Sequence, residues 1–340
     1  MKRKSSNVQK LKNLFLKDKK VLNLYSKLEK AISRNKAVKS FVVAVSGGSD
    51  SMALAGLSII LMSKKKYKVF FVLVDHGIRK NSNKEANQVK KLLQKSGAKL
   101  EILKNKKKII KNIQSNAREV RYDLLSKFCK RKKAKYLITG HHEDDQIETF
   151  FIRLSRGSGV EGLSSMSEKT KIKYGVSLLR PFLNTGKKEL YYVARKTFGK
   201  TFKDPSNTNR KFLRTKIREL KKILEAKGMD SQRIIHSIRN ISLTKDAINF
   251  YLAKSMKKLV KFKKNETVLN LIDFKKEPEE IKFRIINNIV KRRANTYYPP
   301  RSYKVVNLIN RFESKKLKKC TLGGCLFEKR KNLLHVSREF

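Results

Sequence analysis

The chain has 340 residues, of which 84 are Lys or Arg and 28 are Asp or Glu, giving a formal charge of +56 at pH 7. Such a length calls for two or three domains with at least one sizeable α/β core, and so much uncompensated charge points to a polyanionic partner, nucleic acid first. The three cysteines, Cys129, Cys320 and Cys325, include no pair at C-x-x-C spacing, which argues against a zinc ribbon, an iron–sulfur site or a redox pair and fits a reducing cytoplasm.

Residues 1–36 are polar, with Leu14, Leu22, Leu24 and Leu28 at helical spacing, and predict one or two introductory helices. The first twenty residues are basic but lack a long apolar stretch or a small-residue cleavage site, so no secretory signal is expected. Short apolar, β-branched runs follow at Phe41 to Val45, Val69 to Val74, Lys99 to Leu103 and Lys135 to Gly140, each next to a helical stretch. Strands alternating with helices predict an α/β fold, a parallel twisted sheet flanked by helices. The most apolar segment, Phe41 to Met62, is interrupted by polar residues from Ser46 to Ser51, so it cannot span a bilayer and no membrane association is expected. Beyond the turn-rich Phe202 to Asn209, helical patterns cover roughly Lys211 to Leu259 and Glu279 to Arg293. Strand candidates return at Thr267 to Ile272 and Asn332 to Val336. The expected organisation is an N-terminal extension (1–36), a catalytic α/β domain (37–208), a helical region (209–262) and a small mixed C-terminal domain (263–340).

In a parallel sheet the ligand lies beyond the carboxyl ends of the strands, so residues just after Val45, Val74 and Gly140 should face one site. After Val45 comes Ser46-Gly47-Gly48-Ser49-Asp50-Ser51, and then a helix-compatible run. Two glycines let the backbone approach an anion, the serines add hydroxyl donors, and the following helix offers free N–H groups and the positive end of its dipole. The pattern is a phosphate cradle but not a Walker loop, whose glycine spacing and Lys-Ser/Thr ending are missing. Asp50, the one acidic group in an anion-seeking loop, makes sense if a cation such as Mg²⁺ stands between it and phosphate. Further on, in HHEDDQIET, a helix starting near Glu143 places Asp144 and Glu148 one turn apart, with Asp145 and Glu148 at a spacing of three. Such a carboxylate face is costly unless it meets cations.

The SGGSDS loop resembles the signature of PP-loop ATP pyrophosphatases, a superfamily whose members adenylate an oxygen of the substrate and release pyrophosphate. VDHGIR (Val74 to Arg79), NAREVRYDLL (Asn116 to Leu125) and the run from Ile138 to Met166 together resemble the tRNA(Ile)-lysidine synthetases. RPFL (Arg180 to Leu183), DPSN (Asp204 to Asn207), the Arg214/Arg218 pair and TLGG (Thr321 to Gly324) add to that resemblance. It is close over about residues 40–220 and weaker beyond.

The resemblance implies a PP-loop catalytic domain, ATP as cosubstrate and Mg²⁺. It further implies adenylation of the wobble cytidine of an isoleucine tRNA with a CAU anticodon, followed by attack of the ε-amine of L-lysine. It allows a homodimer, and it implies that the C-terminal region grips the acceptor side of the tRNA. Ser46, Gly47, Gly48, Ser49, Asp50 and Ser51 would hold ATP, with Asp50 also as metal ligand, and Val74 and His76 would shape the adenosine pocket. Asp145 and Glu148 would receive lysine, His141 would bind or handle a proton, and Arg121 and Arg214 would stabilise phosphate charge. Thr215 stands where family members usually carry Asn. RGSG (Arg156 to Gly159) would be a loop beside the site. A tRNA thiolase is the rival reading, but it needs cysteines near the site, and Cys129 falls inside a helical pattern.

Overall fold

The computed structural model describes residues 13, 17–35, 38–64, 67–78, 81–105, 113–202, 213–295, 300–313 and 318–339. Leu14, Arg79 and the DPSN segment lie outside them. The chain divides into two compact units, 1–239 and 240–340.

In the first unit the elements run α1 (Lys19–Ser33), β1 (Ser40–Val45), α2 (Ser49–Ser63), β2 (Lys68–Asp75), α3 (Ser82–Lys95), β3 (Leu100–Lys104), α4 (Ile113–Arg131) and β4 (Tyr136–Ile138). They continue with α5 (Glu143–Leu154), α6 (Val160–Leu163), β5 (Lys169–Lys171), β6 (Ser177–Leu179), α7 (Lys187–Phe198), α8 (Leu213–Ala226) and α9 (Ser231–Leu259), which crosses the unit boundary. The sheet order is β3-β2-β1-β4-β6-β5. Every pairing is parallel except β5 with β6, an edge hairpin turning through Tyr174 and Gly175 at positive φ. These two strands of three residues each are too short for alternation to announce them in the sequence.

Both faces of the sheet are covered, which is why its strands read as continuous apolar runs. Phe41, Val43 and Val45 of β1 pack with apolar residues of α1, α2, α3 and α7, while Val42, Val72, Leu137 and Leu178 meet Leu125, Phe128 and Cys129 of α4 on the other side. Helix α2 is buried from Ser51 to Leu61, the position of a central helix apolar on every side. Because β2 and β3 lie to one side of β1 and β4 and β6 to the other, the chain reverses direction between β1 and β4. A crevice opens at such a switch point, at the carboxyl ends of the two strands.

The second unit adds β7 (Val260–Phe262), β8 (Glu266–Asn270), α10 (Leu271–Lys275), α11 (Glu279–Ala294), α12 (Ser302–Glu313), β9 (Lys319–Leu322), β10 (Cys325–Arg330) and β11 (Leu333–Arg338). Its antiparallel sheet, β7-β8-β11-β10-β9, packs Phe327, Leu334 and Val336 against Ile285, Ile289, Ile309 and Phe312 of α11 and α12. The run from Thr267 is strand only to Asn270, whose side chain accepts the Ile272 N–H at 2.9 Å and starts a helix instead. The glycines of TLGG form a two-residue hairpin turn, Gly323 and Gly324 both at positive φ, with Leu322 paired to Cys325. No described helix is long and apolar enough to cross a membrane.

Candidate active site

The switch point brings the carboxyl end of β4 against the loop after β1. A Cβ at Gly140 would lie 2.6 Å from the Asp50 carbonyl oxygen, so only glycine lets the two backbones approach this closely. Gly140→Ala should therefore push the loop away from its strand. The expected cost is about 1–3 kcal/mol of stability, together with weaker ATP binding, checked by thermal melts with and without nucleotide.

The loop is braced from within. The Ser51 hydroxyl accepts from the Ser46 N–H at 3.0 Å and donates to the Gly48 carbonyl at 3.0 Å, with the Ser46 hydroxyl 3.1 Å away. Gly47 has φ +89° and hands its carbonyl to the Phe202 N–H, a conformation that favours glycine. Helix α2 starts at Gly48 with no side-chain cap, leaving its N-terminal N–H groups directed at the crevice.

Asp50 lies in the first turn of α2 and accepts from the Ser49 hydroxyl at 2.9 Å. Burial works against its charge, but the His142 ring and the Ser49 hydroxyl outweigh it and hold its carboxyl below the usual range. His142, buried, joins the loop to the start of α5. Its Nδ1 accepts the Asp144 N–H at 3.2 Å and so caps α5, while its Nε2 lies 3.5 Å from Asp50 and 3.6 Å from Asp145. Asp145 closes the capping box by accepting the His142 backbone N–H at 3.1 Å. This bridging role was not read from the sequence, although the His-x-x-Asp spacing at a helix start was available as its signal.

A second group is cationic. The half-buried His141 ring has a pKa well below its ordinary value because of desolvation and the charges of Arg118, Arg180, Arg121 and Arg214, so it is neutral at physiological pH. Its Nδ1 sits 2.8 Å from the Thr139 hydroxyl. Arg121 feels burial first and then Arg118 and Arg214, which all push its pKa down against the pull of Tyr122. The Nε atoms of Arg121 and Arg180 and the Nδ1 of His76 are buried without hydrogen-bond partners. Arginines this close, with buried donors unspent, are suited to an anionic ligand. His76 is likewise held below its ordinary pKa by burial and Arg121. Val74 packs with the apolar cluster beneath α4.

The third group is the acidic face of α5. Glu148 is buried and accepts from Arg218 Nε at 2.5 Å, and Asp144 meets Lys221 Nζ at 2.6 Å, both cations coming from α8. The predicted loop residues, Asp145 and, through His142, Asp50 therefore come together. Glu148 faces α8, and Arg121 and Arg214 belong to the cationic group, which His141 and His76 adjoin. In RGSG, Arg156 is exposed and Gly157 has positive φ.

Mg²⁺ is commonly held by one or two carboxylates plus substrate phosphates rather than by an all-protein cage. Asp50, ionised at the mouth of an uncapped helix, fits that mode, and no group of three or more metal-ligating side chains occurs among the described residues.

The PP-loop domain family matches residues 19–224. A tRNA(Ile)-lysidine synthase of Wolbachia pipientis is 35% identical over 302 residues, covering 87% of this chain and 70% of the relative. One from Rickettsia typhi is 32% identical over 326 residues, covering 93% and 74%. Among solved structures, the U34-tRNA thiolase NcsA of Methanococcus maripaludis, with its 4Fe–4S cluster, shares the fold at TM-score 0.55 and 19% identity, covering 66% of this chain and 80% of that one. With a phosphate cradle at the switch point, a capped acidic helix beside it and relatives matched along most of its length, the chain belongs to the tRNA(Ile)-lysidine synthase family of PP-loop proteins.

Proposed function

We propose that this chain is a ligase that joins the ε-amine of L-lysine to C2 of the wobble cytidine in an isoleucine tRNA with a CAU anticodon. The observation that carries the reading is the juxtaposition, through His142, of the Asp50 end of the phosphate cradle with the acidic start of α5. The cytidine O2 attacks the α-phosphate of ATP and pyrophosphate leaves. The lysine amine then attacks C2, AMP departs with the original oxygen, and the amine loses its proton.

The loop residues Ser46, Gly47, Gly48, Ser49 and Ser51 hold phosphate oxygens through hydroxyls and backbone N–H groups. Asp50 would hold Mg²⁺, which when bound supplies charge neutralisation on the polyphosphate. Arg121 and Arg214 stabilise the negative charge of the reacting phosphate. Neutral His141 offers a ring nitrogen to the base or to a proton in transit, and Val74 and His76 border the adenosine. Asp145 and Glu148 receive the lysine ammonium and accept the proton it must lose. Residues 37–208 form the catalytic domain in this reading, and 209–262 and 263–340 extend the grip on the polyanion, for which the charge of +56 is suited.

The test is incubation with ATP, Mg²⁺, radiolabelled lysine and an unmodified CAU isoleucine tRNA transcript, beside a methionine elongator transcript. Alkali-stable, ATP-dependent label entering only the first is expected. Pyrophosphate release on RNA addition without lysine incorporation would overturn the choice of nucleophile. Burial pushes the Cys129 thiol up to about 12, and Cys320 and Cys325 are also raised by burial. Iodoacetamide at neutral pH should therefore leave lysine incorporation intact. Loss of incorporation in step with cysteine alkylation would favour a thiol-dependent reaction.

A further inference from the structure

The buried cations of this chain are not alike. Lys282 and Arg284 of α11 each meet a glutamate, Glu279 at 3.0 Å and Glu280 at 2.8 Å. Arg180 is only 6% exposed, yet it forms no ion pair with a carboxylate among the described residues. A guanidinium withdrawn from water without a counter-charge is costly, and a fold keeps one where a ligand supplies the missing charge. One nitrogen is committed. Nη1 donates to the Ser167 carbonyl at 2.7 Å and to the Thr170 hydroxyl at 2.9 Å, which fixes the plane of the group. Nε is enclosed without a partner, and Nη2 has no carboxylate or carbonyl to donate to among the described residues. Nε and Nη2 form one edge of the guanidinium, with parallel N–H bonds spaced to meet two oxygens of a single phosphate.

The place of Arg180 in the sheet says which phosphate. It directly follows β6, level with Thr139, whose N–H donates to the Leu179 carbonyl at 3.1 Å. It therefore stands at the carboxyl end of the sheet beside the end of β4, close enough to His141 to help lower that ring's pKa. The phosphate cradle follows β1, on the other side of β4, two strand spacings or about 10 Å away. At that separation the fork meets a phosphate other than those the cradle holds, and a polynucleotide carries one on either side of each base.

We propose that Arg180 is a further substrate-binding residue, its Nε and Nη2 edge gripping an RNA backbone phosphate next to the target cytidine. The inference rests on the ligase reading above and adds the contact that fixes the register of the RNA, since phosphate contacts position a base without reading it.

The experiment measures binding of the CAU isoleucine transcript across a salt series, without lysine, for wild type, Arg180→Gln and Arg180→Lys, each first checked by thermal melt. Arg180→Gln should weaken binding about tenfold and lower the slope of log affinity against log salt by about 0.7–0.9, the share of one phosphate. Arg180→Lys keeps the charge and should keep the slope, with a smaller loss of affinity. A folded Arg180→Gln with the wild-type slope overturns the proposal, and so does a raised KM for ATP with RNA affinity unmoved. If Arg180→Gln does not fold, synthetic anticodon stem-loops with a neutral methylphosphonate at each phosphate flanking the cytidine decide. One replacement should weaken wild type about tenfold and Arg180→Lys clearly less, whereas equal penalties at every position overturn the idea. Because binding is read without turnover, a wild type that binds RNA but incorporates no lysine sinks the ligase reading alone, and an unmoved slope sinks only the role of Arg180.

Discussion

Asp50→Asn should lower RNA-dependent pyrophosphate release on the order of 10²-fold or more while the protein stays folded. The substitution is nearly isosteric. The amide oxygen can still accept from the Ser49 hydroxyl, and the Gly140 contact is with backbone, so the loop keeps its shape. What disappears is a full negative charge in the first turn of α2, where it costs the fold no more than about 1 kcal/mol through the helix dipole. The same charge is what a divalent cation would need in a loop otherwise built to attract anions. Pyrophosphate release should be measured across a Mg²⁺ titration. A variant with wild-type rates and an unshifted Mg²⁺ midpoint would remove Asp50 from the metal site.

Glu148→Gln should act on the second half-reaction and on stability together. Its carboxylate is buried against Arg218, whose side chain is 33% exposed, so removing the charge takes from a partly solvated cation its hydrogen-bonded carboxylate. Breaking a fully buried pair costs more, and allowing for that exposure the expected loss is about 2 kcal/mol, or a melting temperature lower by roughly 4–8 °C. Lysine incorporation should fall well below pyrophosphate release, because adenylation does not call on this carboxylate. The double variant Glu148→Gln/Arg218→Met should recover much of the melting temperature but not the lysine use. If stability and lysine use return together, Glu148 serves the helix pair and not the substrate.

The loop and the acidic helix were legible because their chemistry is local. Gly47, Gly48 and their serines follow a strand and precede a helix, and α5 starts at Glu143, where the sequence reading expected it. His142 was less legible than His141. Two adjacent histidines look alike in a sequence, and the capping geometry turns one toward Asp50 and Asp145 while the other sits among Arg118, Arg121, Arg180 and Arg214. Glu148 shows the same limit, because its type and helical position were plain but its partner was not.

By itself the sequence determined the parallel core strands, the anion-seeking loop, the clustered carboxylates and a net charge suited to RNA, since each depends on residues within one or two turns or strands of one another. Only the tertiary structure decided the rest. The strand order puts the reversal between β1 and β4, and Arg218 and Lys221 reach Glu148 and Asp144 across 70 and 77 residues of chain. Such pairings follow from how the helices pack on the sheet, and the short-range periodicity that reveals a helix or a strand carries no record of which distant side chain will stand opposite it.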